Sequence, residues 1–316
     1  MESRWSRLAD HDTDLHWVER GEGRPLVLLH GIADSHRTWL PFARSFPNRR
    51  VIALDLPGHG LSGRPDAPYT PEWYAQVLGS WWDQLGLEDV DLVGHSYGGA
   101  LAQTLMLTHR ERVSSLTLIA PGGHGCEVGW GLRLLGLPGA EQVIGPFIGI
   151  GTEIALRAIP GKALTSEEIA MSRWTGSRPG TARAMVRTAR AVIDFGGQTR
   201  LVHERAQDFD ALPPTAMLWG SCDPILPMHH ADGATRWLTN MDVRFYEGCG
   251  HWPHVEEAGR VGSDVRALLE STERRRISVS VGAVPKRTEP WIRRVGRAVV
   301  RGLEWLMRPQ VPARAE

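Results

Sequence analysis

The chain has 316 residues, 42% hydrophobic and 23% charged, with 36 Lys+Arg against 36 Asp+Glu. That length supplies one large core, or a core with an insertion, and a formal net charge of zero gives no argument for a nucleic-acid partner. The three cysteines, Cys126, Cys222 and Cys249, are too few and odd in number for a disulfide framework. The N-terminal stretch MESRWSRLADHDTDLHW lacks the apolar segment of a secretory signal. No run reaches the roughly 18 apolar residues of a membrane span. A reducing cytoplasm is the expected setting.

In chain order, short apolar runs alternate with helical patterns. PLVLLHG (25–31), RVIALDLPGHG (50–60), VDLVGHS (90–96), RVSSLTLIAPGG (112–123), PTAMLWGSCDPILP (214–227) and MDVRFYEGCGHWPH (241–254) each read as a strand ending in a turn. Fully apolar runs separated by helical segments predict a parallel sheet covered on both faces, a doubly wound α/β architecture. The rhythm breaks between about His124 and Ala211. That stretch is helical and apolar with Gly and Pro punctuation, and reads as an inserted helical subdomain. The expected organisation is a core over 1–121 and 212–270, a helical cap over 122–211 and a basic tail over 271–316. From Arg274 onward the tail carries 11 of the 36 Lys+Arg but 3 of the 36 Asp+Glu, so a basic tail follows an acidic body.

VDLVGHSYGGALAQTLML crowds Gly94, Gly98 and Gly99 around one serine. A serine serves as a nucleophile when its oxygen is exposed and a base can reach it. A very tight strand-to-helix turn achieves this, and it requires small residues two before and two after the serine. Gly94 and Gly98 hold those places around Ser96. The following helix points its N-terminus at the same spot, which favours developing negative charge.

The chain resembles the α/β-hydrolases with an inserted cap, over about Asp14 to Leu269. The motifs are HGIADS (30–35), DLPGHGLS (55–62), GHSYGG (94–99), WGSCDPILP (219–227) and GCGHWPHVEE (248–257). The resemblance implies a catalytic triad of Ser96, Asp223 and His251, in the family's order of nucleophile, acid and base. Asp223 and His251 each follow a strand, on loops at the sheet edge where open α/β folds bind ligands. The backbone N–H groups of Ile32 and Tyr97 are the expected oxyanion donors. His254, His95 and His30 read as packing or loop-shaping residues, and His59, His229 and His230 as structural or exposed. No histidine pair has the spacing of a metal site, and neither metal nor cofactor is expected.

Ser96 argues against relatives that use an Asp nucleophile. Ester cleavage ranks first, with a small-molecule or lipid-like substrate, because the insertion is rich in Trp130, Leu132, Leu134, Phe147, Ile150 and Ile154. Carbon–carbon hydrolysis of a diketone-type substrate ranks second. Enzymes of that kind carry a Trp after the catalytic histidine, here Trp252, and a cap arginine, for which Arg183, Arg187 or Arg190 are candidates. A ligand receptor on the same scaffold is a third reading. In the tail, WIRRVGRAVVRGLEWLMR (291–308) lies between Pro290 and Pro309. Its spacing predicts an amphipathic helix with a basic stripe opposite an apolar face, suited to peripheral membrane contact over 290–308. Oligomeric state is not legible.

Overall fold

The computed structural model describes residues 1–158, 164–201, 212–235 and 241–281. Met1–Thr272 form one compact unit and Glu273–Glu316 a second.

The six apolar runs fold as β3 (Pro25–Leu29), β4 (Arg50–Asp55), β5 (Val90–His95), β6 (Val113–Ile119), β7 (Thr215–Gly220) and β8 (Met241–Tyr246). An N-terminal hairpin precedes them, β1 (Glu2–Leu8) and β2 (Thr13–Arg20). Its strands were not expected, because β1 is mostly exposed and alternates with polar residues rather than forming an apolar run. The eight strands form one sheet in the order β1-β2-β4-β3-β5-β6-β7-β8. β2 is antiparallel to β1 and to β4, and the other pairings are parallel.

That order decides where chemistry can sit. The chain winds from β3 to β4 on one side, then crosses to β5 on the other. The crossing creates a switch point between β3 and β5, where a crevice opens outside the strand ends. Their register pairs Leu29 with Gly94, so the loop after β3 and the turn after β5 emerge side by side.

Alternation along the strands divides the core. Val27 and Leu29 pack on one face with Trp81, Trp82, Leu101 and Leu105. Leu26 and Leu28 pack on the other with Trp39, Phe42, Val261 and Val265. The first face is covered by α1 (Pro71–Leu85) and α2 (Tyr97–Thr108). α1 starts cleanly because Thr70 accepts the Trp73 N–H and Pro71 stands at the first helical position; it stops at Gly86, in the left-handed region.

Between β6 and β7 the regular structure of the described residues is helical apart from one bridge, Ile193 to Gln198. The segment holds α3 (Trp130–Leu135), a short helix at Ala140–Val143, α4 (Ile148–Arg157), α5 (Ser166–Gly176) and α6 (Thr181–Val192). Leu132 of α3, Ile144 and Ile32 of the β3 loop pack on a small apolar cluster of Leu135, Ala140, Val186 and Ala189. Thr70-like capping recurs at α5, where Thr165 and Glu168 form a reciprocal box. After β7 comes α7 (His230–Thr235), and after β8 comes α8 (Ala258–Val281). α8 continues past the boundary expected at 270. The stretch Trp291–Arg308 lies outside the described residues. Among the described residues no helix is long and apolar enough to cross a membrane.

Candidate active site

Ser96 stands between the last residue of β5 and the first of α2, at φ 55° and ψ −119°. A non-glycine residue there is strained. The surrounding backbone holds it: the Ser96 N–H donates to Ile119 O at 3.0 Å, and the Ser96 carbonyl accepts from Gly99, Ala100 and Gly122. A Cβ at Gly98 would lie 2.6 Å from the His30 carbonyl oxygen, and one at Gly94 2.6 Å from the Gly98 carbonyl carbon. Both clashes are with backbone, which cannot move aside. The glycines that open the question in the sequence are thus a steric condition of this turn.

Asp223 follows β7, and its Oδ1 accepts the N–H groups of Ile225 at 2.8 Å and Leu226 at 2.9 Å. Its Oδ2 lies 2.7 Å from His251 Nδ1. Both residues are buried. An ionised carboxylate only accepts, so His251 carries its proton on Nδ1 and leaves Nε2 as a base. His251 is placed beside the elbow by its backbone, whose carbonyl lies 2.8 Å from His95 Nε2. The His95 and His251 rings are 4.7 Å apart.

The loop after β3 supplies the facing wall. A Cβ at Gly31 would meet the Ser96 Cβ at 3.0 Å, so this loop touches the serine. His30 shapes it: Nδ1 donates to Gly31 O at 2.8 Å while Nε2 accepts the Leu56 N–H at 3.0 Å. Burial holds His30 neutral, with its pKa lowered to about 4. Tyr97 is the first residue of α2, where a helix amide has no internal acceptor. Among the described residues neither the Ile32 nor the Tyr97 amide has an acceptor. Tyr97 directly follows Ser96, and Ile32 directly follows Gly31, whose loop touches the serine. Asp34, in the same loop, is pushed up to about 7 by burial. It lines a small cleft with His59, Ser172, Thr175 and Met185. None of Ser96, Asp223 and His251 lines it.

One network escaped the sequence reading. Asp55 Oδ2 lies 2.8 Å from His16 Nδ1, and Oδ1 accepts the His36 N–H at 2.7 Å. The Leu61 N–H also donates to Oδ2, at 2.9 Å. Burial alone would raise the Asp55 pKa, but the His36 and His16 contacts hold it well below the usual range. The network ties β2, β4 and the β3 loop together. Its only sequence trace is Asp55 in DLPGHGLS and His36 just past HGIADS, positions with no common spacing.

The model of the alpha/beta hydrolase family matches residues 26–263. The chain belongs to that family. Its relatives include an uncharacterised protein of Mycobacterium tuberculosis, 31% identical over 265 residues, covering 80% of this chain and 77% of the other. A 2-hydroxymuconate semialdehyde hydrolase of Pseudomonas putida is 30% identical over 278 residues, covering 84% and 93%. Among solved structures, a Rhodococcus esterase superposes with a TM-score of 0.67 at 26% identity, covering 86% of this chain and 100% of the other.

Proposed function

We propose that this hydrolase cleaves a carboxylic ester with an apolar, lipid-like acyl group, through a Ser96–His251–Asp223 triad. The observation that carries it is the 2.7 Å Asp223–His251 contact, which sets the imidazole tautomer beside a strained, glycine-flanked serine. Ser96 Oγ attacks the ester carbonyl carbon as its proton passes to His251 Nε2. The carbonyl oxygen gains negative charge, which the Ile32 and Tyr97 N–H groups receive. The C–O bond breaks, and His251 returns the proton to the departing alcohol. Water repeats the sequence on the acyl-enzyme, with His251 again as base, releasing the acid and restoring Ser96. The route calls on no metal or cofactor.

Two observations favour an ester over a diketone. The three candidate cap arginines are each partly engaged elsewhere, although Arg183 Nε is enclosed without a partner among the described residues. Arg183 donates to Arg64 O, Arg187 pairs with Asp66, and Arg190 donates to Gly136 O and Leu137 O. Moreover, eight of the twelve exposed large hydrophobic residues among the described residues lie in the insertion, among them Trp130, Val143, Phe147 and Ile154. Such a concentration suits apolar contact. It also supports peripheral membrane contact, alongside the basic 290–308 sequence. Carbon–carbon hydrolysis is the second reading, supported by the Pseudomonas putida relative and by Trp252 directly after His251.

The test is a fluorophosphonate label on wild type and Ser96→Ala, followed by turnover of esters of rising acyl length and of 2-hydroxymuconate semialdehyde. Labelling of wild type alone, with ester turnover, is the expected result. Turnover of the semialdehyde instead selects the second reading. Labelling without turnover of either substrate favours a receptor.

A further inference from the structure

Glu127 lies in the first segment of the insertion, and His229 and His230 stand at the start of α7. The sequence separates them by about a hundred positions, yet they converge. Glu127 Oε1 is 3.2 Å from His229 Nε2, and Oε2 is 2.8 Å from His230 Nε2. One donor atom from each residue lies within 4.8 Å of the other two. The two rings stand at 89°, with centroids 5.0 Å apart, so their nitrogens approach the carboxylate from different directions.

We propose that Glu127, His229 and His230 form a binding site for one divalent cation of the zinc class. Two donors on a tetrahedral ion at about 2.0–2.1 Å are roughly 3.4 Å apart. The observed separations of 2.8 and 3.2 Å need to open by only tenths of an ångström. A set of two imidazoles and a carboxylate suits a borderline cation better than a hard one such as magnesium. His230 is fixed for this role. It is buried, and a Cβ at Gly125 would lie 2.7 Å from its ring Cγ, so the chain can pass there only as glycine. Its Nδ1 is enclosed without a partner among the described residues, which leaves Nε2 as the ring's polar outlet. The Glu127 and His229 side chains are more than half exposed. A hydrated ion can reach them and keep water in its remaining position.

The other such trio among the described residues, His16, His36 and Asp55, has no such opening. It is fully buried, and both Asp55 oxygens are filled by backbone amides as well as rings.

The location gives the site a consequence. Gln198, near the far end of the insertion, donates to the carbonyls of Gly125 at 2.6 Å and Glu127 at 3.3 Å. The Glu127 segment is therefore tied to both ends of the insertion. His229 and His230 follow Asp223 on the same loop. A bound ion would fasten the insertion to the loop that carries the triad acid.

The experiment uses the full chain after chelator treatment, as wild type, His229→Ala and Glu127→Gln. Zn2+ binding is followed by calorimetric titration, and thermal melting is recorded with and without Zn2+. Wild type is expected to take up one ion per chain through this site and to melt higher when it is bound. Each variant is expected to bind about tenfold or more weakly and to lose the melting shift. Because both substituted side chains are exposed, the variants should melt like wild type in chelator, which separates lost binding from lost folding. Equal Zn2+ uptake by wild type and both variants overturns the proposal and points to the exposed thiols of Cys126 and Cys222. No uptake by wild type overturns it as well.

Discussion

His95 Nε2 lies 2.8 Å from the backbone carbonyl of His251. A carbonyl only accepts, so His95 carries its proton on Nε2 and donates. Its Nδ1 is then a bare nitrogen, enclosed and without a partner among the described residues. Burial, and then His254 and His251 nearby, hold His95 neutral with a pKa well below its ordinary value. Because His95 directly precedes Ser96, this one bond joins the backbone of the proposed nucleophile to that of the proposed base.

The first prediction concerns that bond. His95→Phe keeps an aromatic ring but leaves the His251 carbonyl unsatisfied and frees the loop. A displacement near 1 Å in such a site costs up to about 100-fold. We expect kcat to fall by about 10- to 100-fold with KM little changed, and His95→Gln, which can still donate, to recover part of the loss. Wild-type kcat in His95→Phe would show that the bond does not position the base.

Why some of this was legible and some not follows from the interactions involved. Parallel strands buried on both faces read as unbroken apolar runs, so β3 to β8 stood out. The hairpin of β1 and β2 has one solvated face and gave no such run. Ser96 was legible because its glycines stand at fixed offsets from it, although only the Gly94 clash, with Gly98, arises within the turn, whereas Gly98 clashes with the end of β3 at Leu29 and His30. The pairing of His16 with His36 and Asp55, and of Glu127 with His229 and His230, arises only when distant segments meet. No spacing rule encodes that.

Acid stability carries the second prediction. Burial lowers the pKa of His30 to about 4 and of His59 and His254 to about 3, and holds His95 well below its usual range. In the unfolded chain each would titrate near 6.5. Below about pH 6.5 the unfolded state therefore binds more protons, and stability falls as pH drops toward those folded values. Asp34 acts in the opposite sense. Raised to about 7, it contributes stability below about pH 4 that is lost as pH rises through 7. Four histidines outweigh one carboxyl, so the net slope is loss on the acid side. His254 isolates one contributor, since both its nitrogens are enclosed without partners among the described residues while its ring packs 4.3 Å from Trp39. His254→Leu should stay within about 1.5 kcal/mol of wild type at pH 7 and lose less stability between pH 7 and pH 5. Urea denaturation at the two values checks this. An unchanged difference would mean that His254 takes up no extra proton on unfolding.

The elbow glycines give a third prediction. Gly98→Ala places a methyl group 2.6 Å from the His30 carbonyl oxygen, in the wall that faces Ser96. Overpacking against backbone costs about 1–3 kcal/mol or more. We expect a lowered melting temperature together with loss of fluorophosphonate labelling, whereas Gly131→Ala, where a Cβ would meet nothing, should change neither.

A fourth prediction rests on the cysteines. Cys126 and Cys222 are exposed and Cys249 is buried, and all three are free. The Cys222 N–H donates to Cys249 O at 2.9 Å, so the loops meet without a disulfide. Burial first, with Glu256 and Glu257 nearby, pushes the Cys249 thiol up to about 11. An aromatic disulfide reagent should therefore titrate two thiols rapidly in the native chain and a third only after denaturation. A single thiol under denaturing, non-reducing conditions would reveal a bridge. Blocking the two exposed thiols should leave Ser96 labelling intact, since no thiol is the proposed nucleophile.

The last prediction separates two apolar surfaces that could meet a lipid. The insertion exposes Trp130, Phe147 and Ile154 among the described residues, and the tail sequence over 290–308 combines arginines with tryptophans. Their salt dependence differs in kind. Attraction of basic residues to anionic lipid is worth about 1 kcal/mol per charge and fades within a Debye length, whereas burial of apolar side chains is insensitive to moderate salt. Full-length protein is expected to bind anionic vesicles at low salt, and deletion from Pro290 onward to abolish most of that binding while sparing turnover of a short soluble ester. Substituting Trp130 and Phe147 by Ala together is expected to leave low-salt vesicle binding in place but to reduce turnover of long-chain ester in those vesicles. That outcome would make the tail the anchor and the insertion the point of substrate entry. If the full-length chain stays in solution with anionic vesicles, the tail does not anchor it; if the double variant keeps full long-chain turnover, the exposed face of the insertion takes no part in reaching the substrate.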